Sequence, residues 1–147
     1  MAIWDISLNA ARKVSEEIRS TGGKALAVQC DACEKSDVAT ALKETLAEYG
    51  TIDILVNGAG GSRKETTTSN ELTFFDMEPG DMKAVLSLNY LSAIIPSQAV
   101  GRIFSERKSG VILNISSDLG VIAPDQRIYR KEGIPEDQQN VKPITYS

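Results

Sequence analysis

Apolar positions along the chain alternate between a helical period and short unbroken runs. After a stub, Ala2-Ile3-Trp4, the residues Ala11, Val14 and Ile18 recur at helical spacing. Ser7 or Asn9 can cap that segment and Gly22-Gly23 closes it, which predicts a helix over about residues 8–20. Ala25-Leu26-Ala27-Val28-Gln29-Cys30, closed by Asp31, is an apolar run of the buried parallel-strand kind. A second helix is predicted from Ser36-Asp37, with Val38, Leu42, Leu46 and Tyr49 on one face and Gly50 just past its end. Ile52 to Asn57 reads as another buried strand that runs into the turn Gly58-Ala59-Gly60-Gly61.

The pattern then lapses. From Arg63 to Pro79 no period is sustained, and the composition predicts a long surface loop. Asp81 to Glu106 is helical, with a kink expected at Pro96, which lacks a backbone donor and crowds the preceding turn. Val111 to Ile115 is a further strand. Residues 121–143 hold three prolines and several charges without a core-facing period, as an inserted loop or flap would. Strands alternating with helices at this spacing predict an α/β fold, with βα units wound on a parallel sheet. Ligands bind such sheets beyond the carboxyl ends of the strands, where every candidate residue below falls.

Composition narrows the function classes. The chain has 147 residues, 41% apolar and 24% charged, as expected of one soluble globular domain. A net charge of −4 without a basic stripe argues against nucleic acid as a partner. The apolar runs are far too short for a membrane span and no secretory pattern opens the chain, so a cytoplasmic location and no membrane partner are expected. Cys30 and Cys33 form a C-x-x-C, but with no histidine and no third cysteine a zinc site would have to rely on carboxylates. Both are expected to be thiols of a reducing compartment, and no metal is expected.

The candidate chemistry lies at strand ends. Asp5, after the first apolar stub, is placed either to accept hydrogen bonds from ribose hydroxyls in a dinucleotide fold or to cap a helix. Asp31 is a strand-end or turn acid with Ala32 beside it. Asn57-Gly58-Ala59-Gly60 is a turn whose small side chains let a ligand approach the backbone. Asn89 stands in a helix between Leu88 and Leu91, where burial demands a partner for its amide; a helix–helix hydrogen bond is one answer. Ser116-Ser117 ends the strand run from Val111, and Tyr146 follows in Thr145-Tyr146-Ser147.

In this order, Asn57-Gly58-Ala59-Gly60, Asn89, Ile115-Ser116-Ser117 and Tyr146 resemble the core of the short-chain dehydrogenase/reductase family. The resemblance runs from Asp5 to Ser147 and implies a Rossmann-like doubly wound parallel sheet. It implies an oxidoreductase that moves a hydride between NAD(P) and a carbonyl or secondary alcohol. Ser117 would then orient the substrate oxygen and Tyr146 would exchange its proton. Asn89 would hold a water of the proton relay. A phenol titrates near about 10 in water, so that role needs a stabilised anion. Asp5 would bind the adenosine ribose and favour NAD over NADP, Asp31 and Ala32 would lie beside the adenine, and residues 57–60 would lie along the cofactor.

The match also has departures. Gly58 stands where the family has a second asparagine, no lysine follows Tyr146 by four residues, and no glycine-rich loop precedes Asp5. The expected form is therefore a single partial domain, 1–147, truncated at both ends and poorly active alone, with the insert 121–143 before the tyrosine. Its polar insert suggests a small-molecule substrate of sugar or polyol type, and the full-length form is expected to be a homo-oligomer. The alternative is a non-catalytic remnant serving as an assembly or binding module.

Overall fold

The computed structural model describes residues 1–69, 71–117 and 125–139. Its strands are β1 (Ala2–Asp5), β2 (Leu26–Gln29), β3 (Ile54–Asn57) and β4 (Val111–Asn114), and its helices α1 (Leu8–Ser20), α2 (Lys35–Tyr49) and α3 (Pro79–Arg107). The described residues fall into two compact units. One consists of Met1–Ala59 and Tyr90–Ile115; the other takes Gly60–Asn89 and the described residues from Ser116 onward.

The first unit contains all four strands, arranged as two parallel pairs. In one, Ala2, Trp4 and Asp5 stand opposite Leu26, Val28 and Gln29; in the other, Ile54 stands opposite Val111 and Asn57 opposite Asn114. Each pair is joined through a helix, as parallel strands require. α1 begins where expected: Ser7 has extended backbone and its hydroxyl accepts from the Ala10 N–H, which satisfies one of the orphan donors of the first turn. α2 ends on Gly50, whose φ of 73° places it in the left-handed region and lets its N–H reach the Leu46 carbonyl.

Helix α3 is the element that the two strand pairs share. Val28 and Cys30 of the β2 run, Val38 and Ala41 of α2 and Ile95 of α3 form a buried cluster, with Trp4, Leu26, Leu91 and Ala99 packed against it. Burying an aliphatic side chain of this size contributes about 1.5–3 kcal/mol, so the cluster anchors β1–β2 to α2 and α3. On the other pair, Ile112 approaches Gly101 of α3, where an added Cβ would lie 3.6 Å from its terminal methyl.

The second unit is built from the first part of α3 and short 3-10 turns at Lys64–Thr66, Phe74–Asp76, Gln126–Tyr129 and Glu136–Gln138. The stretch predicted to be surface loop hides more than expected: Thr66 and Thr68 are buried, and the Thr67 hydroxyl donates to the Arg63 carbonyl at 2.7 Å. Between Asp125 and Gln139 the described part of the insert is fastened by its own side chains. The Gln139 amide donates to the carbonyls of Lys131 and Ile134 at 2.9 and 2.7 Å and accepts from the Lys131 N–H at 2.8 Å.

Several expectations need correction. Val14 is exposed, and the buried face of α1 carries Ala11 and Ser15 instead; the Ser15 hydroxyl is satisfied by the Arg12 carbonyl of its own helix. The buried face of α2 centres on Val38, Ala41 and Thr45, with Leu42, Leu46 and Tyr49 half-buried beside it. α3 starts at Pro79 rather than Asp81. The run from Ile52 was expected to be a buried strand, yet β3 begins at Ile54, and both Ile54 and Val56 are more than half exposed. Val111 and Leu113, their register partners, stand equally open on the same face. Among the described residues no helix is long and apolar enough to cross a membrane.

Candidate functional site

In the first unit the carboxyl ends of β1, β2 and β3 carry Asp5, Asp31 and Asn57. Asp5 is half-buried, and one carboxylate oxygen accepts from the Ser7 N–H at 2.7 Å, holding the residue that caps α1. The other oxygen engages no partner among the described residues. Both readings of this acid are therefore compatible with its geometry: it supports the cap and retains an acceptor for a hydroxyl pair.

Asp31 closes the β2 run as a turn residue. Its Oδ1 accepts from the Cys33 N–H at 2.8 Å, its own N–H donates to Asp37 at 3.3 Å, and its carbonyl accepts from the Glu34 N–H. Ala32 lies half-buried within this turn. The two cysteines around it are not joined in a disulfide. Burial pushes the Cys30 thiol up to about 11, helped by the negative charges of Asp37 and Asp31. Cys33 is also raised, by burial first and then by Asp31, while a backbone hydrogen bond with Ser92 works the other way. Thiols held protonated are poor nucleophiles and poor metal ligands.

The turn after β3 is held from beneath. Asn57 is buried and its side chain points away from the turn, with Nδ2 donating to Asn114 Oδ1 at 2.8 Å, Ser97 Oγ at 2.9 Å and the Ala93 carbonyl at 3.3 Å. The Ser92 hydroxyl donates to the Ala59 carbonyl at 2.9 Å. What this segment offers a ligand is backbone rather than the Asn57 amide. At Gly58 an added Cβ would meet only Ile115, at 3.8 Å, so that side of the turn is open.

The second unit takes Gly60 and Asn89. The Asn89 side chain is satisfied by the backbone of Gly61: Oδ1 accepts from its N–H at 2.7 Å and Nδ2 donates to its carbonyl at 3.1 Å. This replaces the helix–helix hydrogen bond considered from sequence. It also explains Gly60. Its φ is 153°, and a Cβ added there would lie 2.6 Å from Asn89 Oδ1, which leaves no room for a side chain. Ser117 is half-buried. Tyr146 and the segment Asp118-Leu119-Gly120 lie outside the described residues, and Tyr129 belongs to the 3-10 turn Gln126–Tyr129.

Three side chains around this turn escaped the sequence reading: Asn114, Ser97 and Ser92. The one available signal was that an asparagine closes both the β3 and the β4 runs, a polar residue at the same rung of two apolar strands.

The family model described as short chain dehydrogenase matches residues 1–129. An uncharacterised oxidoreductase of Haemophilus influenzae is 35% identical over 127 residues, covering 80% of this chain and 45% of the relative. Among solved structures, a provisionally named D-mannonate oxidoreductase from Haemophilus influenzae with bound NAD shares 34% identity with a TM-score of 0.74, covering 82% of this chain and 46% of that one. A 7α-hydroxysteroid dehydrogenase complexed with NADH and 7-oxo glycochenodeoxycholic acid shares 31% identity with a TM-score of 0.72, covering 84% and 45%. The chain thus spans a little under half the length of the relatives it matches.

Proposed function

Because this chain belongs to the short-chain dehydrogenase family, we propose that its strand ends form part of a nicotinamide-dinucleotide site for an oxidoreductase that interconverts a carbonyl compound and a secondary alcohol. The observation that carries this reading is the turn Asn57–Ala59. It is fixed from below by α3 and β4 and bare of side chain at Gly58.

The residues present fit such a cofactor in two places. Asp5 keeps one carboxylate oxygen for the ribose hydroxyls, where its charge would repel a 2′-phosphate and so favour NAD over NADP. The Asp31 turn and Ala32 offer a small surface for the adenine edge. When bound, the nicotinamide supplies or accepts the hydride at the carbonyl carbon. In the reducing direction, the Tyr146 hydroxyl gives a proton to the oxygen that becomes the alcohol, and Ser117 orients that oxygen. Asn89 acts through the loop it holds at Gly61.

The substrate class this reading favours is a polar sugar acid or polyol. The similarity to the NAD-bound D-mannonate oxidoreductase supports it, as does a charged insert held together by Arg127–Asp125 and Arg130–Glu136. A steroid, such as the ligand of the similar 7α-hydroxysteroid dehydrogenase, would want an apolar wall there. Titration of the chain with NADH and NADPH, followed by nicotinamide fluorescence, tests the cofactor assignment. Binding of NADH in preference to NADPH, lost in Asp5→Arg, is expected; no binding of either would reject it. Reduction of sugar-derived ketones by a full-length form containing this chain, absent in Tyr146→Phe, tests the chemistry.

One observation favours the second reading, an assembly module without catalysis: the exposed aliphatic face of β3–β4 offers a protein a place to pack. A chain that binds a partner protein but no nicotinamide nucleotide would be of that kind.

A further inference from the structure

Asn57 and Asn114 are register partners at the last rung of the β3–β4 ladder, and they meet through their side chains as well as their strands. Asn57 is buried and supplies the donor, with Nδ2 at 2.8 Å from Asn114 Oδ1. Asn114 is exposed and supplies only an acceptor. At the same rung the Ile115 N–H donates to the Asn57 carbonyl at 2.9 Å, and one residue further the chain enters the turn Gly58–Ala59. A buried primary amide with three nearby acceptors has two hydrogens to place, and its two shortest contacts, to Asn114 and Ser97, define its orientation.

We propose that Asn114 is a positioning residue of the cofactor turn: its side-chain oxygen fixes the orientation of the Asn57 amide and thereby the backbone that Gly58 and Ala59 present. The proposal rests on the cofactor reading given above. Nothing else on β4 serves this purpose, because Ile112, the preceding residue on the same face, is apolar and packs toward Gly101. Without the oxygen of Asn114, Asn57 Nδ2 retains the Ser97 hydroxyl and the more distant Ala93 carbonyl, both on α3, and loses its only side-chain tie across the ladder.

The requirement is for an acceptor and not for an amide, which separates it from general packing. Asn114→Asp keeps an acceptor oxygen at an exposed position able to carry charge, whereas Asn114→Leu keeps the volume and removes the acceptor. Hydrogen exchange supplies a local probe and an internal control. The Ile115 amide bonds Asn57 at the carboxyl end of the ladder, and the Val111 amide bonds Asp53 at the other end, at 3.0 Å. Asn114→Leu is expected to speed exchange at Ile115 by about tenfold with Val111 unchanged, the effect of one lost hydrogen bond, and Asn114→Asp to leave both near wild type. In parallel, the Kd for NADH should rise about tenfold in the leucine variant and stay within about twofold in the aspartate variant.

Unchanged Ile115 exchange in the leucine variant, or a rise at Ile115 and Val111 together, overturns the proposal; so does an aspartate variant that behaves like leucine. Should Asn114→Leu fail to fold, Asn114→Ala removes the acceptor with less disturbance and is read by the same pair of amides. Wild-type chain that binds no NADH sinks the cofactor reading and with it the cofactor role, while the Ile115 and Val111 comparison still decides whether Asn114 positions the turn.

Discussion

Asn89 and Gly61 exchange both of their polar groups: the asparagine oxygen takes the glycine N–H at 2.7 Å and the asparagine amide gives a hydrogen to the glycine carbonyl at 3.1 Å. A helix side chain thereby stands in for a strand neighbour and fixes a loop that has no regular structure of its own. Gly60 is the condition for this contact. Gly60→Ala places a methyl 2.6 Å from Asn89 Oδ1 and at a φ of 153°, so we expect a loss of about 1–3 kcal/mol. Urea unfolding of Gly60→Ala measures it. Asn89→Ala removes both bonds but not the glycine geometry, and adding it to Gly60→Ala should cost less than the sum of the two.

The pH dependence of stability should carry the signature of Cys30. Its thiol is raised on folding from an ordinary value near 9 to about 11, so the native state binds the proton more tightly than the unfolded chain does. The stabilisation is complete below the unfolded value and is lost as pH rises through the native one. The unfolding free energy from urea titrations should therefore fall between about pH 9 and 11, by no more than on the order of 2–3 kcal/mol, and the fall should shrink in Cys30→Ala.

Trp4, the single tryptophan, donates its indole N–H to the Thr45 hydroxyl at 2.9 Å, and that hydroxyl donates to the Ala41 carbonyl at 2.8 Å. Thr45→Val keeps the shape and strands the indole donor. A loss of about 1–2 kcal/mol is expected, together with a shift in the tryptophan emission of the folded protein. An unaltered emission spectrum would mean that the indole finds another partner.

Gln139 closes the insert with three hydrogen bonds to backbone groups of Lys131 and Ile134. Gln139→Leu removes all three, and trypsin should then cut at Arg130 or Lys131 several times faster while helices α1 and α2 remain protected. A cutting rate equal to wild type would show that the Arg130–Glu136 pair holds the loop unaided.

Local chemistry was readable from the sequence where it acts locally. The Ser7 cap, the left-handed Gly50 and the alternation of strand and helix all lie within a few residues of their causes. Pro79 was also readable in principle, since proline suits the first helical turn, yet the polar stretch before it draws the predicted boundary to Asp81. What escaped depends on distant partners. Ser15 and Thr45 are buried because their hydroxyls fold back on their own helices, which makes them usable at a packed face where periodicity alone points to Val14. Candidate site residues can be named from the chain as residue types, but their orientation cannot: nothing near Asn57 in the chain announces that its amide serves Asn114 and Ser97. Burial of β3 was misjudged for the same reason, since an apolar run specifies what would be covered and not whether anything covers it.

That open strand pair governs how the protein will behave at the bench. Ile54, Val56, Val111, Leu113 and Ile115 are each at least half exposed and stand along one face of two neighbouring strands. Such a face is larger than the scattered aliphatic residues of an ordinary surface, and among the described residues each strand of the pair also has one edge without a neighbouring strand. The molecule should light up hydrophobic dyes in its folded state, precipitate early in ammonium sulfate, and lose solubility on warming before it loses its helices. Lysine at Val56 or Leu113 would raise that solubility limit without touching a single hydrogen bond of the turn beside it.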